Sequence, residues 1–137
     1  MSQPQCHKKR RQIVLVVDDN PAIRDMVSWA LELNGYKPVE AAEGQEALDW
    51  VKSAAREGLY PTVILLDLAM PGMCGRIFLQ QLRAYWQTAC SQQSQPAVVV
   101  ITAETSGANA ASLGVEQVIA KPFHVRELLE AVHSFAS

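Results

Sequence analysis

The sequence predicts an α/β fold, a doubly wound five-stranded parallel sheet packed as a three-layer αβα sandwich. Three observations predict it. Short apolar, β-branched runs recur as IVLVV at 13–17, TVILL at 62–66 and AVVVI at 97–101. Each is long enough for a strand and apolar enough to be buried on both faces, the mark of a parallel sheet. Between them lie segments with apolar residues at helical spacing, so strand and helix alternate along the chain. Right-handed crossovers then place helices on both faces of the sheet.

The elements follow in order. Ile13 to Val17 is the first strand and stops at Asp18. Asn20 caps the next helix and Pro21 takes its first position, where a missing N–H costs nothing. Ile23, Met26, Val27, Ala30 and Leu31 recur at helical spacing until Asn34-Gly35 ends the helix. Lys37 to Ala41 reads as a short second strand. Glu46 to Arg56 reads as a helix with Ala47, Leu48, Val51 and Ala55 on one face. The strand Thr62 to Leu66 runs into Asp67, and a turn is expected at Pro71-Gly72. Gly75 to about Trp86 reads as a helix with Ile77, Phe78, Leu82 and Trp86 along a stripe. Cys90 to Gln95 is expected as a polar linker. Ala97 to Ile101 leads into Thr102. A short helix is expected over 107–113, a last strand over Gln117 to Ala120 ending at Lys121-Pro122, and a closing helix over Val125 to Phe135.

Charge divides the chain into a basic tail, 1–11, and a domain, 12–137. Lys8, Lys9, Arg10 and Arg11 put four positive charges in the tail, leaving 8 basic against 14 acidic residues in the domain. An acidic body argues against nucleic-acid binding as the main task. The stretch MSQPQCHKKRRQ has no apolar run before its basic cluster, so a secretory signal is not expected. No run reaches the length of a transmembrane helix, and a cytoplasmic chain is expected. Cys6, Cys74 and Cys90 are odd in number and widely spaced, as free thiols would be.

The chemistry lies where strands end. Asp18 and Asp19 end the first strand, Asp67 the third, Thr102 the fourth and Lys121 the fifth. In doubly wound sheets, ligands bind beyond the carboxyl ends of the strands. Taken alone, an aspartate at such a place is usually a cap or turn residue, and Asp19 before Asn20 could be one. Three carboxylates together repel one another and call for a cation. Mg²⁺ suits such hard oxygen ligands. A carboxylate oxygen of Asp67 could then attack phosphorus, while Lys121 and Thr102 meet the incoming oxygens. Other phosphate chemistries fit less well. No GxxxxGK[ST] is present, and VVDDNP stands where a dinucleotide fingerprint would follow the first strand. His7, His124 and His133 have no metal-ligand spacing, and His124 reads as a surface residue near the rim.

The motifs VLVVDDNP, ILLDLAMPGMCG, VVVITA and VIAKPF resemble, in order and spacing, the receiver domain of two-component response regulators. The resemblance spans about residues 12–135 and implies a flavodoxin-like (β/α)₅ fold. It implies Asp67 as phosphoacceptor, taking phosphate from a histidine kinase or phosphotransfer protein. It implies a Mg²⁺ site made by Asp18, Asp19, Asp67 and the backbone carbonyl of Ala69. Thr102 and Lys121 would contact the phosphoryl group, and Pro122 would follow a cis peptide bond. A downstream protein target would bind the face of the fourth helix, fifth strand and fifth helix. No turnover enzyme is expected beyond self-phosphorylation from phosphodonors and autodephosphorylation.

The chain departs from the family pattern at named positions. Val118 stands where an aromatic switch residue is common. Cys74 precedes Gly75 where many members carry Asp. The stretch from Gly75 to Gln95 looks longer than usual. Ala69 and Glu104 flank the pocket at variable positions, and Ala103 to Gly107 is the loop expected to repack on phosphorylation. Two other classes remain: an interaction module whose pocket is intact but does not switch, and a metal-dependent phosphohydrolase of similar topology.

Overall fold

A computed structural model describes residues 11–70, 72–103 and 109–136. The expectations for residues 1–10, for Pro71, for Glu104 and for 105–108 lie outside the described residues. The element order is β1 (Ile13–Val17), α1 (Pro21–Leu33), β2 (Lys37–Ala41), α2 (Gly44–Arg56), β3 (Val63–Leu66), α3 (Gly75–Ala89), β4 (Ala97–Thr102), α4 (Ala110–Leu113), β5 (Gln117–Ala120) and α5 (Val125–Ala136).

The five strands form one sheet in the order β2-β1-β3-β4-β5. Every neighbouring pair is parallel. The chain runs outward from β1 to β2, then crosses to β3 and continues to β5. The reversal point therefore lies between β1 and β3, where Val17 is in register with Leu66. A crevice for ligands opens there at the carboxyl edge.

Alternate residues of the central strands face opposite layers. Val14, Val16, Leu65, Val99 and Ile101 pack with Val27 and Leu31 of α1 and with Leu128 and Val132 of α5. Leu15, Val17, Ile64, Leu66 and Val100 pack with Leu48 of α2 and with Phe78, Leu82 and Trp86 of α3. Burial on both faces explains why these strands carry almost no polar residue. β2 is the exception. Its sequence KPVEA is half exposed because it is an edge strand, where Pro38 is tolerated.

Asn20 caps α1 as the sequence predicts, its side-chain oxygen accepting from the backbone N–H groups of Ala22 and Ile23. Several boundaries move. α2 begins at Gly44 rather than Glu46, α3 runs on to Ala89, and β4 includes Thr102. Two residues grouped by helical spacing with buried neighbours face solvent: Met26 is 40% exposed and Ile77 43%. On α1 the exposed Met26 lines up with Trp29 and Leu33 at helical spacing. Sequence alone does not decide between that stripe and the buried one through Val27, Ala30 and Leu31. Cys90 is buried rather than part of a polar linker, because it closes α3 with its N–H on the Trp86 carbonyl. The Trp86 indole N–H in turn donates to the carbonyl of Gln93, which folds the linker back over the core. On the tail side, the ladder reaches Gln12, whose carbonyl accepts from Lys37 N–H, and Arg11 lies near the Tyr36 carbonyl.

Candidate functional site

Backbone pairing continues one residue past the strands and places the site. Asp18 N–H donates to the Ala41 carbonyl at 3.1 Å, Asp67 N–H to Val17 at 2.9 Å and Lys121 N–H to Thr102 at 2.9 Å. Each polar residue at a strand end is thus held by the neighbouring strand. Side-chain direction follows from the strand it ends, so the site is built on the sheet rather than on loops.

Asp18 and Asp67 are nearly fully buried, at 4% and 5% exposed. The Lys121 ammonium lies between them, 2.9 Å from Asp18 Oδ2 and 3.1 Å from Asp67 Oδ2. The other oxygens are also engaged: Asp18 Oδ1 accepts from Asn20 N–H at 2.9 Å, and Asp67 Oδ1 from Ala69 N–H at 3.0 Å. Asp19 is exposed and makes no side-chain hydrogen bond or ion pair among the described residues. Asp18, Asp19 and Asp67 can each offer an oxygen such that all three lie within 4.8 Å of one another. Three converging carboxylates, one with no other partner, suit a divalent cation with oxygen preference.

Thr102 is buried at 1% exposure, at the end of β4. The Lys121-Pro122 peptide is cis. Ala69 and Ala103 are exposed at the rim. Val118 is half-buried, in register with Val100 and packed against the core under α2 and α3. His124 is exposed, as expected. His133, which sequence reasoning left without a role, meets Tyr36 through its Nδ1 far from the pocket.

Two contributors were not legible in the sequence. Arg24 donates from Nη1 to the Asp18 carbonyl at 2.7 Å and pairs through Nε with Glu40 at 3.3 Å. Gly75 opens α3 with its N–H on the Leu68 carbonyl. A Cβ there would lie 2.7 Å from Leu68 Cα and 2.8 Å from the Asp67 carbonyl oxygen.

Burial pushes the Asp67 carboxyl above its usual value, and the Asp18 charge adds to the rise. The Ala69 N–H and the Lys121 ammonium pull it down without fully compensating. Burial alone would lower Lys121, but hydrogen bonds and charge from Asp18 and Asp67 raise it overall. In metal-free protein, a carboxyl NMR titration should place the Asp67 midpoint above 3.8. Lys121→Met should move it higher still, because the ammonium favours the charged form. A midpoint at or below 3.8 would contradict this electrostatic account. Asp67 thus contributes relative stability at low pH that is lost as pH rises through its raised folded value. Lys121 contributes stability that is full below 10.5 and lost as pH rises through its own raised value.

A model of the response regulator receiver domain matches residues 14–133. The chain belongs to the response regulator receiver family. Among curated proteins, this receiver is 33% identical to the phosphate regulon transcriptional regulatory protein PhoB of Escherichia coli, over 87% of this chain and 49% of that protein. It is 33% identical to the DNA-binding response regulator MtrA of Mycolicibacterium smegmatis, over 90% of this chain and 50% of that one. The chain spans about half the length of these relatives. Among solved structures, the Vibrio cholerae chemotaxis protein CheY4 superposes with a TM-score of 0.74 at 32% identity, covering 92% of this chain and 99% of that one. The receiver domain of the Francisella response regulator 1452 does so at 0.75 and 27%, covering 92% and 97%. The receiver acts in two-component signalling, and its acidic pocket is able to hold a metal ion. No helix among the described residues is long and apolar enough to cross a membrane.

Proposed function

We propose that Asp67 accepts a phosphoryl group from a phosphohistidine of a histidine kinase or phosphotransfer protein, and that the phosphorylated receiver changes its protein contacts. One observation carries this reading. Two buried carboxylates, Asp18 and Asp67, both lie within hydrogen-bond reach of one ammonium, that of Lys121, at the crevice.

In the reaction, a carboxylate oxygen of Asp67 forms a bond to phosphorus as the donor's P–N bond breaks. The electron pair leaves with the imidazole. Asp67 Oδ1 is turned toward the Ala69 N–H, so Oδ2, now facing Lys121, is the attacking oxygen. Lys121 passes from this oxygen to the phosphoryl oxygens and spreads their charge. Thr102 supplies a hydroxyl to the same oxygens. Asp18, Asp19, Asp67 and the Ala69 carbonyl would hold Mg²⁺, which neutralises charge on the transferring group. Hydrolysis returns the carboxylate, so the protein acts on itself and turns over no separate substrate.

Readout starts at Thr102 and Ala103 and passes to α4, β5 and α5, whose shared face is the proposed site for a downstream protein. The half-buried Val118 has no large ring to swing, so the change is carried from Thr102 and Ala103 without an aromatic partner. A cytoplasmic location follows from this role.

Incubation with acetyl phosphate and Mg²⁺, followed by intact mass measurement, tests the chemistry. One added phosphoryl group per chain is expected, with amide NMR shifts around Thr102 on adding beryllofluoride. No mass gain and no spectral change would sink the reading. Steady release of phosphate from a small phosphomonoester would point instead to a phosphohydrolase.

A further inference from the structure

We infer that Arg24 is a positioning residue for the metal-binding carboxylates, and that it acts by locking the Asp18–Asp19 peptide. The inference rests on the reading above, in which the acidic pocket takes a divalent cation.

The turn between β1 and α1 is closed by hydrogen bonds at almost every residue. Asp18 N–H is held by the Ala41 carbonyl, and Asp18 Oδ1 holds Asn20 N–H. Asn20 Oδ1 holds the Ala22 and Ile23 N–H groups. The Asn20 carbonyl accepts from Arg24 N–H, which begins the helix. Asp19 is the gap in this circuit. Its side chain has no partner among the described residues, so its direction depends on the backbone alone.

That backbone has two soft torsions flanking the Asp18–Asp19 peptide plane. Rotation of the plane swings its carbonyl one way and redirects the Asp19 side chain. The carbonyl of that plane is the one Arg24 holds at 2.7 Å. Arg24 is itself steadied by Glu40 of β2, on the far side of β1 from β3. A guanidinium suits the task because its fork reaches the carbonyl and Glu40 together. The Arg24 side chain is 18% exposed and Glu40 39%, so as a simple ion pair they would contribute little to stability. What the pair supplies is orientation.

A positioning role and a charge role predict opposite signs. Arg24 is a cation beside three carboxylates that would bind another cation. If only its charge mattered, removing it would tighten Mg²⁺ binding. If it positions Asp19, removing it weakens binding. Groups that orient metal ligands from behind cost about 10- to 100-fold in affinity when lost.

Mg²⁺ titration calorimetry on the 137-residue protein, with thermal melting in EDTA, decides between them. Arg24→Gln is expected to weaken Mg²⁺ binding about 10-fold while remaining folded. Arg24→Lys should fall between the two, since its ammonium can reach the same carbonyl without the fork. In an Asp19→Asn background, Arg24→Gln should cost nothing further. Equal or tighter binding by folded Arg24→Gln overturns the inference. So does a full-sized loss that persists in the Asp19→Asn background. Should Arg24→Gln not fold, Glu40→Gln leaves the arginine charge but removes its brace. It is expected to weaken binding by a smaller factor, and unchanged affinity there overturns the inference. Wild-type protein that binds no Mg²⁺ would refute the proposed function instead, so the two failures are distinguishable.

Discussion

Asp67→Asn is expected to abolish phosphoryl uptake from acetyl phosphate, read as the complete loss of the mass increment of one phosphoryl group. The amide keeps the shape of the side chain but its oxygen is no longer an anionic nucleophile. The rest of the pocket offers no substitute at the same place. Asp18 has both oxygens engaged, one by Asn20 N–H and one by Lys121. Asp19 is exposed, outside the buried group formed by Asp18, Asp67 and Lys121. The fold should survive, because an amide beside Lys121 leaves Asp18 to neutralise the ammonium at 2.9 Å. Full retention of uptake, or transfer to another residue at the wild-type rate, would show that Asp67 is not the acceptor.

Gly75→Ala should damage both stability and uptake, although Gly75 touches no phosphate. The added methyl would meet backbone rather than a movable side chain, at 2.7 Å from Leu68 Cα and 2.8 Å from the Asp67 carbonyl oxygen. Either α3 backs away or the segment after β3 shifts. Overpacking of this kind costs about 1–3 kcal/mol, readable by denaturant melting. The segment that yields carries Asp67, and a displacement of about 1 Å at a reacting group can slow chemistry on the order of 10²-fold. A variant with wild-type stability and wild-type uptake would show that the close approach is not tight in solution. Gly114 makes a useful contrast. It has φ +69 and a Cβ there would meet the Arg83 guanidinium at 3.2 Å. Strain at that position should destabilise α4 without slowing uptake directly.

Asp18, Asp67 and Lys121 were legible because each follows an uninterrupted apolar strand, and a parallel sheet must put those ends on one edge. Strand order puts Asp18 and Asp67 on neighbouring strands, but Lys121 ends β5, beyond β4, and meets them only through the reach of its side chain. Arg24 was not legible, since one arginine in the first turn of a helix looks like any solvated charge. Its target is a backbone carbonyl, which leaves no trace in residue type. Gly75 was read as a helix start, and only the folded chain reveals how near α3 comes to the end of β3. The exposure of Met26 and Ile77 escaped for a different reason. On α1 the apolar residues form two neighbouring stripes, and on α3 Ile77 adjoins the fully buried Phe78; helical periodicity alone does not say which meets the sheet. Cys90 was misread because a polar neighbourhood outweighed its own tendency to be buried.

The orientation of the sheet has a consequence for how such a unit is joined to others. Gln12 enters at the amino ends of the strands, where its carbonyl meets Lys37. α5 begins beside Lys121 and runs back toward that same end, so Phe135 lies near Thr62, Ala97 and Glu116. A five-residue strand rises about 16 Å, so both junctions lie that far from the acidic crevice. A tether, fluorophore or second folded unit attached at either junction would leave the crevice open to its phosphodonor. A receiver that switches as proposed would fit different assemblies without redesign of its chemistry.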